Sequence, residues 1–167
     1  PVMDFPLNDD RRSGFLAPVF GYNSRSGADI TLPYYFNLAP NRDLTLYPRL
    51  LSDRGVQLGA EYRYLAETYS GALRGEFLPN DRDTRTNRWS IALKHSQLLS
   101  PGLNAYINYN KVSDNTYPDD LGRSIVTATQ RQYVQEGGVT YSIGDWVALA
   151  RVQKFQTLST ATAALTP

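Results

Sequence analysis

Residues 56–65 read Val-Gln-Leu-Gly-Ala-Glu-Tyr-Arg-Tyr-Leu, so Val56, Leu58, Ala60, Tyr62 and Tyr64 share one parity while Gln57, Gly59, Glu61 and Arg63 take the other. A strand sends these two sets to opposite faces. The alternation recurs over residues 15–22, 28–37, 43–51, 55–65, 69–78, 88–96, 103–112, 132–143 and 146–156. No window keeps apolar residues at i, i+3, i+4 and i+7, so the expectation is an all-β chain of about nine antiparallel strands. Nearly every segment also carries Tyr, Trp or Phe at an end. Alternation over roughly ten residues with aromatic ends is the pattern of a transmembrane β-barrel, with one face toward lipid and the other wet.

Composition allows this reading. Only 41% of the 167 residues are hydrophobic and mean hydropathy is −0.42, but a barrel strand needs apolar residues only at alternate positions. No run of about 18 apolar residues exists, which excludes helical spans. Twelve Tyr against one Met and two Trp favours side chains with an apolar body and a polar tip, which settle at membrane interfaces. A net charge of +1 gives no bias toward nucleic acid as a partner. The chain has no Cys. Residues 1–10 hold neither a basic n-region nor an apolar core. A barrel must be secreted, so the chain reads as an internal piece of a longer one.

Loop length orients the sheet, because outer-membrane barrels keep periplasmic turns short and extracellular loops long. The long connections, residues 79–87 and 113–131, follow the fifth and seventh strands and open on one side, assigned as outside. The other side holds residues 39–42, 66–68, 97–102 and the tight Gly144-Asp145 turn, which sets Ile143 opposite Trp146. Phe77, Trp89, Tyr109 and Tyr133 form an outer aromatic girdle, and Tyr34, Phe36, Tyr62, Tyr64, Tyr69, Tyr141 and Trp146 an inner one. The opposite parity carries Asp29, Asp43, Glu61, Glu76 and Glu136 against Arg49, Arg63, Arg74, Lys94 and Arg151, with Asn104, Asn108 and Asn110 between them. Such residues are costly toward lipid and ordinary in a wet lumen.

Pro18 and Pro33 fall inside the first and second strands, where each removes a ladder donor. A hairpin centred on Arg25-Ser26 would set them opposite each other, both on the lumen parity. A closed barrel has no free edge, so weakening in two adjacent strands fits a seam that must open. The alternative is that both prolines mark bulges or relieve strain near a rim.

The stretch Pro33-Tyr34-Tyr35-Phe36-Asn37-Leu38-Ala39-Pro40-Asn41-Arg42-Asp43-Leu44-Thr45 follows Arg11-Arg12-Ser13-Gly14-Phe15-Leu16-Ala17-Pro18. Further on stand Arg54-Gly55, Glu61-Tyr62-Arg63-Tyr64-Leu65, Leu78-Pro79-Asn80-Asp81, Lys111-Val112-Ser113-Asp114 and Lys154-Phe155-Gln156. Through these motifs, spanning residues 11–156, the chain resembles the start of the barrel in the lipopolysaccharide-assembly outer-membrane protein family LptD, also called OstA or Imp. Phe36, where the family commonly has Trp, and residues 115–130, which do not align, are the departures.

The resemblance implies a barrel of 26 strands in the cell outer membrane, following a periplasmic jelly-roll domain that meets the lipopolysaccharide-transport bridge. It further implies a lipoprotein plug, LptE, in the lumen, and disulfides between the N-terminal domain and the far end of the barrel. Residues 1–14 would then be a periplasmic lead-in, residues 15–157 the first strands, and residues 158–167 a loop or boundary. The resemblance also implies that the prolines at Pro18 and Pro33 weaken pairing near the first and last strands, so that lipopolysaccharide leaves sideways into the outer leaflet.

Catalytic signatures are missing from the sequence. His95 has no second His or Cys to share a metal, and Asp81, Asp83, Asp119 and Asp120 read as solvated loop charge. Neither a Gly-x-Ser-x-Gly elbow nor a phosphate-binding loop occurs, so no enzyme, cofactor or metal site is expected. The competing readings are a small outer-membrane pore or adhesive barrel, which the odd strand count disfavours, and a soluble β-sandwich binding module.

Overall fold

The computed structural model describes residues 11–122 and 131–158. Residues 1–10 and 159–167, and with them most of the expected lead-in and boundary segments, lie outside the described residues, as do residues 123–130 of the second long loop. The described residues form one antiparallel sheet of eleven strands with a single short helix among them. The strands are β1 (Gly14–Phe15), β2 (Val19–Asn23), β3 (Gly27–Thr31), β4 (Tyr34–Ala39), β5 (Arg42–Leu51), β6 (Gly55–Leu65), β7 (Tyr69–Leu78), β8 (Arg88–Ser100), β9 (Leu103–Val112), β10 (Gln132–Ile143) and β11 (Trp146–Thr157). Helix α1 (Tyr117–Leu121) stands in the loop after β9. From β4 to β11 each strand pairs with the next. β1 with β2, and β3 with β4, are the interrupted halves of the first two expected strands, so the nine strands read from the alternation are all present.

Register keeps the two parities on separate faces. Phe36, Leu44, Tyr62, Leu73, Leu93 and Tyr109 stand opposite one another in a single apolar row across six strands. The next row is Tyr35, Thr45, Glu61, Arg74, Ala92 and Asn110. The apolar face is not covered by any other described residues: Leu58 is 51% exposed, Phe77 46% and Val152 80%. A contiguous face of this size without a cover is what a strand protein presents to hydrocarbon. This chain is a β-barrel segment. β11 breaks the pattern, because Val147, Leu149 and Phe155 pair with Ser142, Thr140 and Val134 on the polar face.

Turn chemistry explains the connections. Gly144-Asp145 joins β10 to β11 with Ile143 opposite Trp146, as expected. β8 runs four residues beyond the expected end at Ser96 and turns at Pro101-Gly102. Gly102 takes φ +80° there, the position that a type II turn reserves for glycine. A register shift between Leu98 and Ser100 absorbs the extra residue.

Both long loops lie at one end of the sheet, beside the three-residue turns 24–26 and 52–54, and the other end holds only short connections. At the turn end the aromatic rings touch in series, with centroids of Phe15 and Tyr34 at 4.9 Å, Tyr34 and Phe36 at 4.6 Å, Tyr62 and Tyr64 at 5.6 Å and Tyr64 and Tyr69 at 6.0 Å. His95 joins this band through a 2.7 Å hydrogen bond between its Nδ1 and the Tyr64 hydroxyl. At the loop end Trp89 lies opposite Phe77 and under the Lys111 ammonium. Tyr133 departs from the expected outer girdle. It packs instead against a buried cluster of Leu51, Leu78, Val112, Tyr117, Leu121 and Leu158. That cluster, between the polar face and α1, is the core among the described residues.

Candidate functional site

The ladder is irregular in the first two strands. β1 meets β4 through two residue pairs, Gly14 with Tyr35 and Phe15 with Tyr34, while β2 meets β3 through five, from Val19 opposite Thr31 to Asn23 opposite Gly27. The gap between β1 and β2 contains Pro18, and the gap between β3 and β4 contains Pro33. Both prolines therefore sit where pairing lapses, as the loss of a ladder donor requires. At the lapse the Leu16 N–H donates to the Pro33 carbonyl at 2.9 Å, and Pro33 has no N–H to return the bond.

The two prolines are not directly opposite each other. The hairpin turns through three residues, 24–26, and Gly27 at φ +74° supplies the left-handed residue that closes it. Its register therefore differs by one residue from that of a two-residue turn on Arg25-Ser26. A second one-residue slip separates the β1–β4 register from the β2–β3 register. Phe15 and Phe20 both stand on the apolar face despite their opposite parity, so no parity carries across Pro18.

The second feature is a buried ionic cluster at the loop end. Arg88, 1% exposed, forks onto Asp114 through Nε at 3.0 Å and Nη2 at 2.8 Å. Its Nη1 donates to Asp81 at 3.1 Å and to Asp120 at 2.8 Å, and its guanidinium lies 5.6 Å from the Tyr117 ring centre. Arg54 donates through Nη1 to Asp81 at 2.7 Å and through Nε to the Arg25 carbonyl at 2.8 Å. Arg49 reaches Asp29, Gln57 and the Leu121 carbonyl at 2.9, 3.0 and 2.9 Å. Gln57 donates to the Tyr117 hydroxyl at 3.0 Å, which donates to Glu76 at 2.8 Å. These bonds hold α1 flat on the polar face. Pro118 near its start and Asp119 and Asp120 in its first turn suit a helix N-terminus.

Asp81 and Asp120 are therefore not solvated loop charge. Both are buried, and both are held by the same two arginines, Arg54 and Arg88. Burial pushes the Asp81 carboxyl up. The Asp83 backbone N–H and the Arg54 and Arg88 guanidiniums outweigh it and hold that carboxyl below its ordinary value. Asp114 is held low against the same opposing burial by Arg88 and the Ser113 hydroxyl. Burial, then the Glu76 charge, raise the Tyr117 phenol, so it stays a neutral donor. The sequence left one usable signal: Tyr117 and Leu121, one helical turn apart, are the apolar positions of an otherwise acidic stretch.

The polar residues singled out by alternation share one face, and three groups of them interact. Arg49 pairs with Asp29, Arg63 with Asp43 at 2.8 Å, and Arg74 with Glu76 at 3.0 Å and Glu61 at 3.7 Å. Lys94 stands opposite Asn108, which stands opposite Glu136, while Asn104 faces Thr140 and Arg151 faces Gly138. A cavity of about 480 Å³ opens between α1 and the sheet, lined by Tyr47, Arg74, Glu76, Asn110, Tyr117 and Tyr133 among others. Among the described residues no three His, Asp or Glu side chains are grouped to hold a metal ion. On this face Asp29, Asp43, Glu61 and Glu76 are held by guanidinium groups, and Glu136 accepts from the Gln153 amide at 2.9 Å.

Comparison with known proteins agrees with this architecture. The family model LptD, described as LPS transport system D, matches residues 86–167. The chain is 85% identical, over all its 167 residues, to 21% of the LPS-assembly protein LptD of Ralstonia nicotianae. It is 65% identical over 158 residues, 95% of the chain, to 20% of the protein of that name from Cupriavidus pinatubonensis. With the one from Paraburkholderia xenovorans it shares 54% over 162 residues, again 95% of the chain and 20% of the relative. The chain thus spans about a fifth of the length of the curated relatives it matches.

Proposed function

Since the chain belongs to the family of LPS-assembly protein LptD, we propose that it supplies the leading strands of an outer-membrane barrel that inserts lipopolysaccharide into the outer leaflet. The sugar portion travels along the polar face, which is the lumen wall. The acyl chains slip sideways between the first strands and the closing strand. The observation that carries this reading is the lapse of the ladder at Pro18 and Pro33 along the edge of a sheet otherwise paired strand to strand. Each missing net bond is worth about 1 kcal/mol, enough together to bias where a closed barrel opens.

In this reading residues 15–157 are membrane strands and residues 1–14 lead in from a periplasmic jelly-roll domain, while the long loops face outside. The lipoprotein LptE is the plug in the lumen, and the jelly-roll domain meets the transport bridge. The task is guided passage with no bond made or broken, so it calls for no catalytic residue, and none is assigned. The one-residue slip beside Pro18 supports a narrower reading in which the prolines only shape a bulge, and delivery rates separate the two.

Orientation is checked by labelling. A single cysteine at Thr84 of the full-length protein, exposed in the loop after β7, is expected to react with an impermeant reagent on intact cells, and one at Asp145 is not. Reaction at Asp145 with protection at Thr84 would invert the barrel. Passage is checked by a photoreactive side chain at Asn104 or Asn108 on the polar face. It should capture newly made lipopolysaccharide transiently in a pulse-chase, whereas the same group at Leu73 on the apolar face should capture bulk membrane lipid throughout. Equal capture of transiting lipopolysaccharide from both faces would remove the lumen from the route.

A further inference from the structure

A third proline lies in the third strand. Pro48 is inside the unbroken β5, opposite Leu58 of β6. On its other side the pairs Thr31–Arg49 and Tyr34–Leu46 bring Leu32 opposite Pro48, and the Leu32 N–H donates to the Pro48 carbonyl at 3.1 Å. A residue pair bonded this way in an antiparallel ladder exchanges two bonds. Proline returns none, so the Leu32 carbonyl loses its ladder donor. The Leu16–Pro33 rung is half-made in the same way. The second strand thus carries half-made rungs at consecutive residues, one facing the first strand and one facing the third.

What lies on either side of this line differs. Toward the loop end β2 and β3 share five pairs, and the tip of their hairpin is docked on the next loop. There Ser52 N–H donates to Ala28 at 3.0 Å, Asp53 N–H to Ser26 at 3.3 Å and Arg54 Nε to Arg25 at 2.8 Å, each to a backbone carbonyl. Toward the turn end β1 holds β4 through two pairs. The Pro48 ring is exposed on the apolar face, so no packing among the described residues accounts for it.

We propose, on the footing of the gate reading above, that Pro48 is a third gate residue, completing a hinge line across three strands. The turn-end half of the first strand and the second strand bend along this line while the hairpin tip stays docked. With an N–H at position 48 the second strand would be fastened to β5 on one side, and only the first strand could yield.

The test uses the full-length protein as the sole copy in cells, carrying Pro48→Thr, Pro33→Thr, or both. Surface arrival of pulse-labelled lipopolysaccharide is measured per assembled barrel. Pro48→Thr should leave assembly unchanged and slow delivery by up to about fivefold, the factor one net ladder bond gives an opening equilibrium. The double variant should be slower than either. In the purified unsubstituted protein the Leu32 amide should exchange with deuterium at least about tenfold faster than Leu46, because its rung is half-made. Normal delivery with Pro48→Thr, alongside slowed delivery with Pro33→Thr, overturns the hinge line and leaves the gate standing. Normal delivery in every variant overturns both. Loss of assembly in proportion to loss of delivery makes Pro48 a folding residue and also overturns the proposal. Should Pro48→Thr fail to assemble at all, Leu32 exchange decides: as slow as Leu46 refutes the hinge line, and fast exchange upholds it.

Discussion

Arg88→Met in the full-length protein is expected to release α1 from the polar face. The substitution keeps much of the side chain's bulk but strands Asp114 and leaves Asp81 and Asp120 to Arg54 alone within the buried cluster, all three being contacts that Arg88 makes from a position 1% exposed. Removing one member of a buried ion cluster costs about 3–5 kcal/mol, since the remaining charges lose their compensation without regaining water. Read as local opening, that corresponds to a fall of at least about a hundredfold in hydrogen-exchange protection. The amides to follow are Asp120 and Gly122, which donate to Thr116 and Pro118 at 3.1 and 2.9 Å in the helix turn. Arg88→Lys retains the charge but cannot fork onto Asp114, and should fall between the two. Unchanged protection in Arg88→Met would mean that the apolar contacts of Tyr117 and Leu121 hold the helix unaided.

Acid should weaken the same cluster. Asp81 and Asp114 are held below their ordinary values in the folded chain, so the unfolded chain binds protons more readily than the folded one as pH falls. Their contribution is complete above the unfolded carboxylate value of about 3.9 and is lost as pH falls from there through the lowered folded values.

The parts of this fold legible in the sequence are those set by local period. Leu58, Tyr62 and Leu73 declare a face because each strand alternates on its own, and the Gly144-Asp145 turn fixes its register within two residues. Pro18 and Pro33 mark the interruption from composition alone. Their alignment was not legible, because a three-residue turn closed by Gly27 and a two-residue turn differ by one residue of register, and the backbone of the turn decides between them. The end of β8 is not legible because Gln97, Leu98 and Leu99 blur the alternation before Pro101-Gly102 ends it. The ionic cluster was beyond sequence reading for another reason. Arg54, Asp81 with Arg88, and Asp120 are far apart in the sequence, and only the pairing of the strands and the folding back of α1 make them neighbours. Pro48 gives no such sign in the sequence, because β5 stays continuous around it and its consequence shows only in the rung to Leu32.

Replacing Pro18 and Pro33 together by Thr in the full-length protein should tighten the seam. Thr is at home in strands and carries the missing N–H, so up to two ladder bonds of about 1 kcal/mol each become available. Folding should be unimpaired or improved, while opening should become rarer by about tenfold or more. Faster or equal assembly with slower delivery is a combination that a folding defect does not give. The decisive measurement is therefore the rate at which pulse-labelled lipopolysaccharide reaches the cell surface per assembled barrel of the Pro18→Thr, Pro33→Thr protein. A rate depressed about tenfold at normal barrel levels is the predicted result, and an undiminished rate at normal barrel levels would contradict a lateral opening at the first strands.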